Sequence, residues 1–167
     1  MNRAGPLLIW VLAGFTACAC ALLAMPASHV DGTFIPVGND SFYHARRILD
    51  AIPDLTNLAQ FDPFIHAPEG SLIVWPWGFD LALAAVGRTA LAMNVVEAPM
   101  SVLVFIPPLA ALVSVGLVVG ICRELGLSTL GTAIGAFCVA LSPLTQLLHG
   151  VGMLDHHVAE YVMWLAS

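Results

Sequence analysis

Three unbroken apolar runs decide what this chain can become. Pro6 to Met25, Ser101 to Cys122 and Ser128 to Leu148 are each twenty residues or longer. A helix of about that length crosses a hydrocarbon core of roughly 30 Å. Inside lipid only helices and closed barrels satisfy their own backbone, and a continuous apolar run selects the helix over the alternating barrel strand. Composition agrees: 59% of the 167 residues are hydrophobic and 10% charged, against about 25% charged in soluble domains. We therefore expect an all-α polytopic membrane protein. Eleven acids stand against five arginines and no lysine, a net charge of −6, which leaves no basic footprint for nucleic acid. Cys18, Cys20, Cys122 and Cys138 all lie in apolar runs and read as small hydrophobes.

The first run can also be read as a signal peptide, since Ala-Met-Pro-Ala-Ser follows it. Signal-peptide apolar regions are shorter, about 7–15 residues, so we take it as an uncleaved span over about 6–25. Arg3 then puts the N-terminus in the cytoplasm. The runs at 101–122 and 128–148 make a helical hairpin with Arg123 at a cytoplasmic tip, and Pro107-Pro108 predicts a kink in the first of them. A further span starts near Val158.

Residues 26–98 form an outer loop rich in acids and turn signals ("VDGT", "VGND", "FDPF"). Within it Ser41 to Ile52 reads as an amphipathic helix with Phe42, Ala45, Leu49 and Ile52 on its apolar face and Asn39 or Asp40 as N-cap. Leu72 to Met93 is apolar but carries Pro76, Asp80 and Arg88. Each charge costs roughly 2.5–3.5 kcal/mol at the centre of a span, so an interfacial position is favoured, with Trp75 and Trp77 at headgroup level.

The chemistry concentrates in "LLHGVGMLDHHVAEYVMW", Leu147 to Trp164. In an extended loop Asp155 and His157 point the same way and His156 points away. A carboxylate beside an imidazole suits Mn²⁺ or a similar divalent ion, while Mg²⁺ prefers all oxygen. The best third ligand is Asp40, on the same side of the membrane if Leu72–Met93 does not cross. Each piece has a plainer reading: a solvated D-x-H, an N-cap at Asp40, a first-turn acid at Glu160, and a wet helix face at His44, Arg46 and Arg47. Ionisable groups gathered at one membrane face are functional candidates nonetheless.

Four segments in order carry a resemblance. "GNDSFYHARRI", "FDPFIHAPEGSLIVWPWGFD", "FIPPLAALVSVGLVVGICRELG" and "ALSPLTQLLHGVGMLDHHVAE" resemble the N-terminal part of the catalytic subunits of oligosaccharyltransferases. The D-H-H form is most similar to the archaeal-type members. The resemblance implies a GT-C glycosyltransferase transmembrane domain with its active site outside. It implies transfer of a glycan from a polyprenyl (pyro)phosphate carrier to asparagine in N-x-S/T of an acceptor polypeptide, with a divalent metal, Mn²⁺ or Mg²⁺. By position, Asp40 matches the first-loop acid that serves metal and acceptor, and Asp155 and His157 match the two metal-binding positions. His156 and His66 are candidates for phosphate contacts, and Arg46 for the same role or for pairing with an acid. The interfacial segment would lie where the lipid tail enters. The family's later glutamate, W-W-D-Y-G motif, later spans and soluble domain do not occur in these 167 residues, so this stretch is expected to be inactive alone. Another GT-C enzyme with a different acceptor, or a transporter fragment, is the alternative.

Overall fold

The computed structural model describes residues 4–56 and 59–167. Arg3, which oriented the first span, lies outside the described residues. The elements run α1 (Ala4–Leu22), α2 (Met25–Ser28), β1 (His29–Val30), β2 (Thr33–Phe34), α3 (Asn39–Ala51), β3 (Phe61–Asp62), β4 (Ser71–Leu72), α4 (Trp77–Ala92), α5 (Met100–Leu103), α6 (Ile106–Glu124), α7 (Thr129–Leu141), α8 (Pro143–His149) and α9 (His157–Ala166). The chain is mostly helical. The loop adds two antiparallel ladders that the all-α expectation left out, β1 with β2 and β3 with β4. The first closes on Asp31 (φ 49°) and Gly32 (φ 78°), the paired positive φ of a tight hairpin turn.

Helices α1, α6 and α7 form one bundle. Its core is Ile9, Ala13 and Ala17 of α1, Ala111, Val115 and Val119 of α6, and Ala136 and Ala140 of α7. Small residues at these positions let the backbones close up without a hydrophobic drive between helices. Gly14 shows how tight the approach is: a Cβ there would stand 2.8 Å from Leu112 Cδ2. Leu7, Leu8, Phe15, Val113, Leu130 and Ile134 face outward and exposed.

Among the described residues, two helices are long and apolar enough to cross a membrane, Gly5–Leu22 and Met100–Glu124. The count is three if Thr129–Leu141 and Pro143–His149 are one span, bent by 54°. The bend sits where Ser142 is extended (φ −60°, ψ 130°) ahead of Pro143, a residue pair that interrupts the helical ladder. Pro107-Pro108 follow an interruption in the first half of the Met100–Glu124 span: the helical run breaks at Val104–Phe105 and the prolines open α6. There the missing N–H costs nothing, because the first turn has no partner for it. Helix α4 has 16 residues, about 24 Å at 1.5 Å per residue, short of a span.

The turn between α6 and α7 and the start of α1 share one end of the bundle, where Gly5, Pro6, Arg123 and Gly126 line a single open cavity. A second core lies elsewhere in the fold. It joins Ala45, Ile48 and Ala51 of α3, Leu83 and Ala84 of α4, Leu103 of α5, and Val151 and Leu154.

The segment 150–156 is pinned from both sides. Val37 N donates to Gly152 O (2.8 Å), and Gly152 N donates to Val104 O (2.9 Å). Gly152 has φ +85°, and a Cβ there would meet Ser28 Oγ at 2.6 Å. Only glycine fits both the backbone and the space. This pin sets the position of Asp155.

A candidate His–Asp site beside the helical bundle

Helix α3 buries half of the face its apolar pattern predicted, since Ala45 is buried and Ile52 packs against the second core. Ser41, His44, Ala45, Arg47, Ile48 and Ala51 are buried, whereas Phe42 and Leu49 of the expected face are 52% and 41% exposed. Its N-cap is Gly38, without a side-chain cap bond. Asn39 and Asp40 are the first helical residues, not caps, and the Asp40 carboxylate lies in the first turn, where the helix dipole favours it.

The polar residues on the buried face of α3 converge on Asp80. This fully buried acid of α4 receives His44 and Arg47 together. His44 Nδ1 donates to Asp80 Oδ1 at 2.6 Å, and Arg47 Nη1 sits 2.8 Å from Asp80 Oδ2. A lone buried charge is costly; Asp80 is hydrogen-bonded by His44 on Oδ1, and the Arg47 charge beside Oδ2 offsets part of that cost without a hydrogen bond. Phe79 stacks edge-on against the His44 ring at 5.6 Å.

The far nitrogen of His44 reaches the D-H-H segment. His44 Nε2 is 3.0 Å from His156 Nδ1 and 4.0 Å from Asp155 Oδ1. His156 Nδ1 is also 2.9 Å from Asp155 Oδ1. Asp155 and His156 are themselves buried.

This geometry corrects the extended reading of the segment. His156 is in the right-handed helical region (φ −58°, ψ −22°) as the N-cap of α9, so the alternation of an extended strand does not apply. His156 turns toward Asp155, and His157 turns outward to Glu160, Nδ1 to Oε2 at 2.7 Å. That hydrogen bond lifts the His157 pKa; burial opposes it, and the nearby charges of Asp155, Glu160 and Asp40 add to the rise. Glu160 is thus a histidine partner as well as a first-turn acid.

Among the described residues, two groups place three potential metal ligands together: His44, Asp155 and His156, and His156, His157 and Glu160. Asp40 belongs to neither and is exposed. His66 is exposed in the loop between β3 and β4, at φ 54°. Arg46 pairs with Asp62 and lies over the rings of Tyr43 (5.3 Å) and Phe64 (5.5 Å). It lines an open cavity with Phe61, Asp62 and Phe64, so it takes the acid-pairing role. His44 and Asp80 join this cluster although the sequence reading did not place them in the site. The available signal was a lone acid in an apolar helix, opposite a histidine and an arginine three apart.

A second polar knot braces the site. His149 Nδ1 donates to Thr145 O (2.9 Å), and its Nε2 lies 3.2 Å from Ser114 Oγ. Thr145 Oγ1 meets Tyr161 OH at 3.2 Å. Helices α6, α8 and α9 are joined through these side chains.

The architecture defines a helical protein of membrane type with a buried His–Asp cluster on the loop that precedes α9. The chain is 29% identical over 131 residues to dolichyl-phosphooligosaccharide-protein glycotransferase 3 of Archaeoglobus fulgidus. The match covers 78% of this chain and 15% of that protein, so the chain corresponds to a small part of the relative's length. No family model matches the chain, and no solved structure matches it.

Proposed function

We propose that the chain is part of a membrane glycosyltransferase that moves a glycan from a polyprenyl phosphate or pyrophosphate carrier to asparagine in N-x-S/T of an acceptor polypeptide. The similarity to a glycotransferase, over most of this chain, carries the reading. Asp155 and its histidines support it, because a transfer from phosphate needs concentrated polar groups next to an apolar body that admits a lipid tail. The cluster would face outside the cell, with Arg123 in the cytoplasm.

The divalent ion that the resemblance implies, Mn²⁺ or Mg²⁺, meets a mixed donor set at Asp155. Two imidazole nitrogens within 4.0 Å of its Oδ1 favour Mn²⁺ over Mg²⁺. When bound, such an ion stabilises the negative charge of a phosphate leaving group as a Lewis acid. Asp155 would hold it. The resemblance adds Asp40 and His157; the latter's ring is engaged by Glu160.

The other residues bind and orient. The Asp40 carboxylate, exposed on the first turn of α3, would accept a hydrogen bond from the acceptor amide. His156 and His66 would donate to phosphate oxygens. The apolar α4, with Trp77 at its start, would lie at the interface beside the lipid tail.

Donor binding tests the reading. The purified chain in detergent should bind a polyprenyl-pyrophosphate-linked glycan, and His156→Ala should weaken binding at least tenfold. Equal affinity for the glycan-free lipid alcohol would reject it.

A further inference from the structure

We infer that the open cavity between α3 and the β3–β4 hairpin is a binding subsite for a neutral sugar ring, a pyranose, separate from the Asp155 cluster. The inference rests on the chemistry of the cavity wall, and it stands whether or not the chain transfers a glycan.

The cavity holds about 320 Å³ and is lined by Arg46, Arg47 and Asp50 of α3 and by Phe61, Asp62 and Phe64 of the hairpin. That volume is at the small end of ligand clefts, which combine apolar and aromatic walls with a few polar groups. Two arginines and two aspartates line it, so the wall carries no net charge. Arg46 is paired with Asp62, and Arg47 stands beside Asp80. An anion gains little where each cation already faces an acid.

What the wall offers is hydrogen-bonding capacity. Arg47 is only 6% exposed, yet its Nε and Nη1 have no hydrogen-bond partner. Nη1 is 2.8 Å from Asp80 Oδ2, but not in hydrogen-bond geometry. Buried donors are normally satisfied, and the Arg47 side chain lines the cavity. Asp50, exposed on the same wall, supplies acceptor oxygens. The ligand that suits this pair is uncharged and both donates and accepts, as a ring of hydroxyl groups does.

The aromatic half fits the apolar side of such a ring. Phe64 is 78% exposed and Phe61 49%, two large rings left to water in one cleft. The face of an aromatic ring is electron-rich. The C–H groups on one side of a pyranose are slightly positive, so the two stack while the hydroxyls at the edge reach polar groups. Both phenyl rings are placed before a ligand arrives. Asp62 Oδ1 accepts from Phe64 N at 2.8 Å, and Arg46 stands over the Phe64 ring at 5.5 Å. Gly70, at φ +73°, leaves room for the Phe61 ring, which a Cβ there would strike.

The test is saccharide binding by the purified full chain in a detergent without a sugar headgroup. The methyl pyranosides of glucose, galactose and mannose are titrated and followed by saturation-transfer NMR, with methyl glucuronide and inorganic phosphate as charged probes. At least one neutral pyranoside should bind, and more tightly than either anion. Phe64→Ala and Asp50→Ala should each weaken it about fivefold, the size of one lost stacking contact or hydrogen bond. Both side chains are exposed, so these variants keep the fold. Arg47→Lys keeps the charge beside Asp80, loses the fork of donors and should weaken binding as well; if it does not fold by circular dichroism, the other two variants decide. Phe42→Ala, on the same helix but outside the cavity, should bind as wild type does. Three results each overturn the subsite: no neutral pyranoside bound, either anion bound more tightly than every neutral pyranoside, or wild-type affinity in both Phe64→Ala and Asp50→Ala. Failure to bind the lipid-linked donor would reject the glycosyltransferase reading without touching this one.

Discussion

The His44 and Asp80 side chains meet at 2.6 Å with no exposed surface on either. The two residues are 36 positions apart in the sequence, on α3 and α4, and their contact ties these helices together. It also decides where the Nε2 of His44 points. Arg47 completes the unit on the second oxygen of Asp80.

Removing that acid should be severe. Asp80→Ala leaves a buried arginine and histidine without their partner, a loss of about 3–5 kcal/mol for a broken buried pair. Asp80→Asn keeps the shape and one acceptor, and should cost less. Denaturation in detergent micelles measures both, and an Asp80→Ala variant as stable as wild type would remove the pair from the account.

Gly152 is the second structural test. Alanine there combines a positive φ with a 2.6 Å contact to Ser28 Oγ. Residues held at such angles cost about 1–3 kcal/mol, and the contact adds to this. Gly152→Ala should lower stability by at least that much and also weaken donor binding, because Gly152 anchors the segment that carries Asp155. Ser28→Gly in the same chain should recover part of the stability by removing the hydroxyl.

The outward histidine predicts a pH effect. His157 has a raised pKa in the folded chain, first through Glu160. Its contribution to stability is therefore complete below the ordinary histidine value of about 6.5 and disappears as the pH climbs through the raised value. The effect is small, because the pair is solvent-exposed. Glu160→Gln should bring the His157 titration, followed by NMR, back down toward the ordinary value. An unchanged titration would show that Glu160 is not the cause.

Topology is open to labelling. Cysteines placed at Asp40 and Asp155 should react with an impermeant reagent from outside, Asp155 after mild loosening in detergent, and one at Arg123 only after the membrane is opened. Asp80 is too buried to report. Labelling of position 123 from outside would invert the orientation.

The two helices long and apolar enough to cross a membrane among the described residues were legible because each lies in an apolar run of about twenty residues. The bend at Ser142-Pro143 and the start of α6 at its proline pair were less so, because a proline's effect depends on whether it falls inside a helix or at its first turn. The buried face of α3 was half legible, because Ala45 and Ile52 pack inside as expected while Phe42 and Leu49 lie exposed. Phe42 and Leu49 satisfy a helical apolar period as well as Ala45 and Ile48 do, and the pairing of His44 and Arg47 with Asp80 is encoded in no local pattern. The D-H-H segment stood out in the sequence as the candidate site, but its geometry was misjudged. Periodicity assumed a strand, whereas the start of α9 rotates His156 inward to His44 and His157 outward to Glu160.

The Asp155 cluster is proposed to serve glycan transfer from a lipid carrier. The most direct measurement of that role is glycopeptide formation in native membranes supplied with an N-x-T peptide and polyprenyl-linked glycan, comparing the wild-type protein with Asp155→Ala at equal abundance. We predict a fall of at least a hundredfold in glycopeptide by mass spectrometry. An unchanged yield would contradict the account.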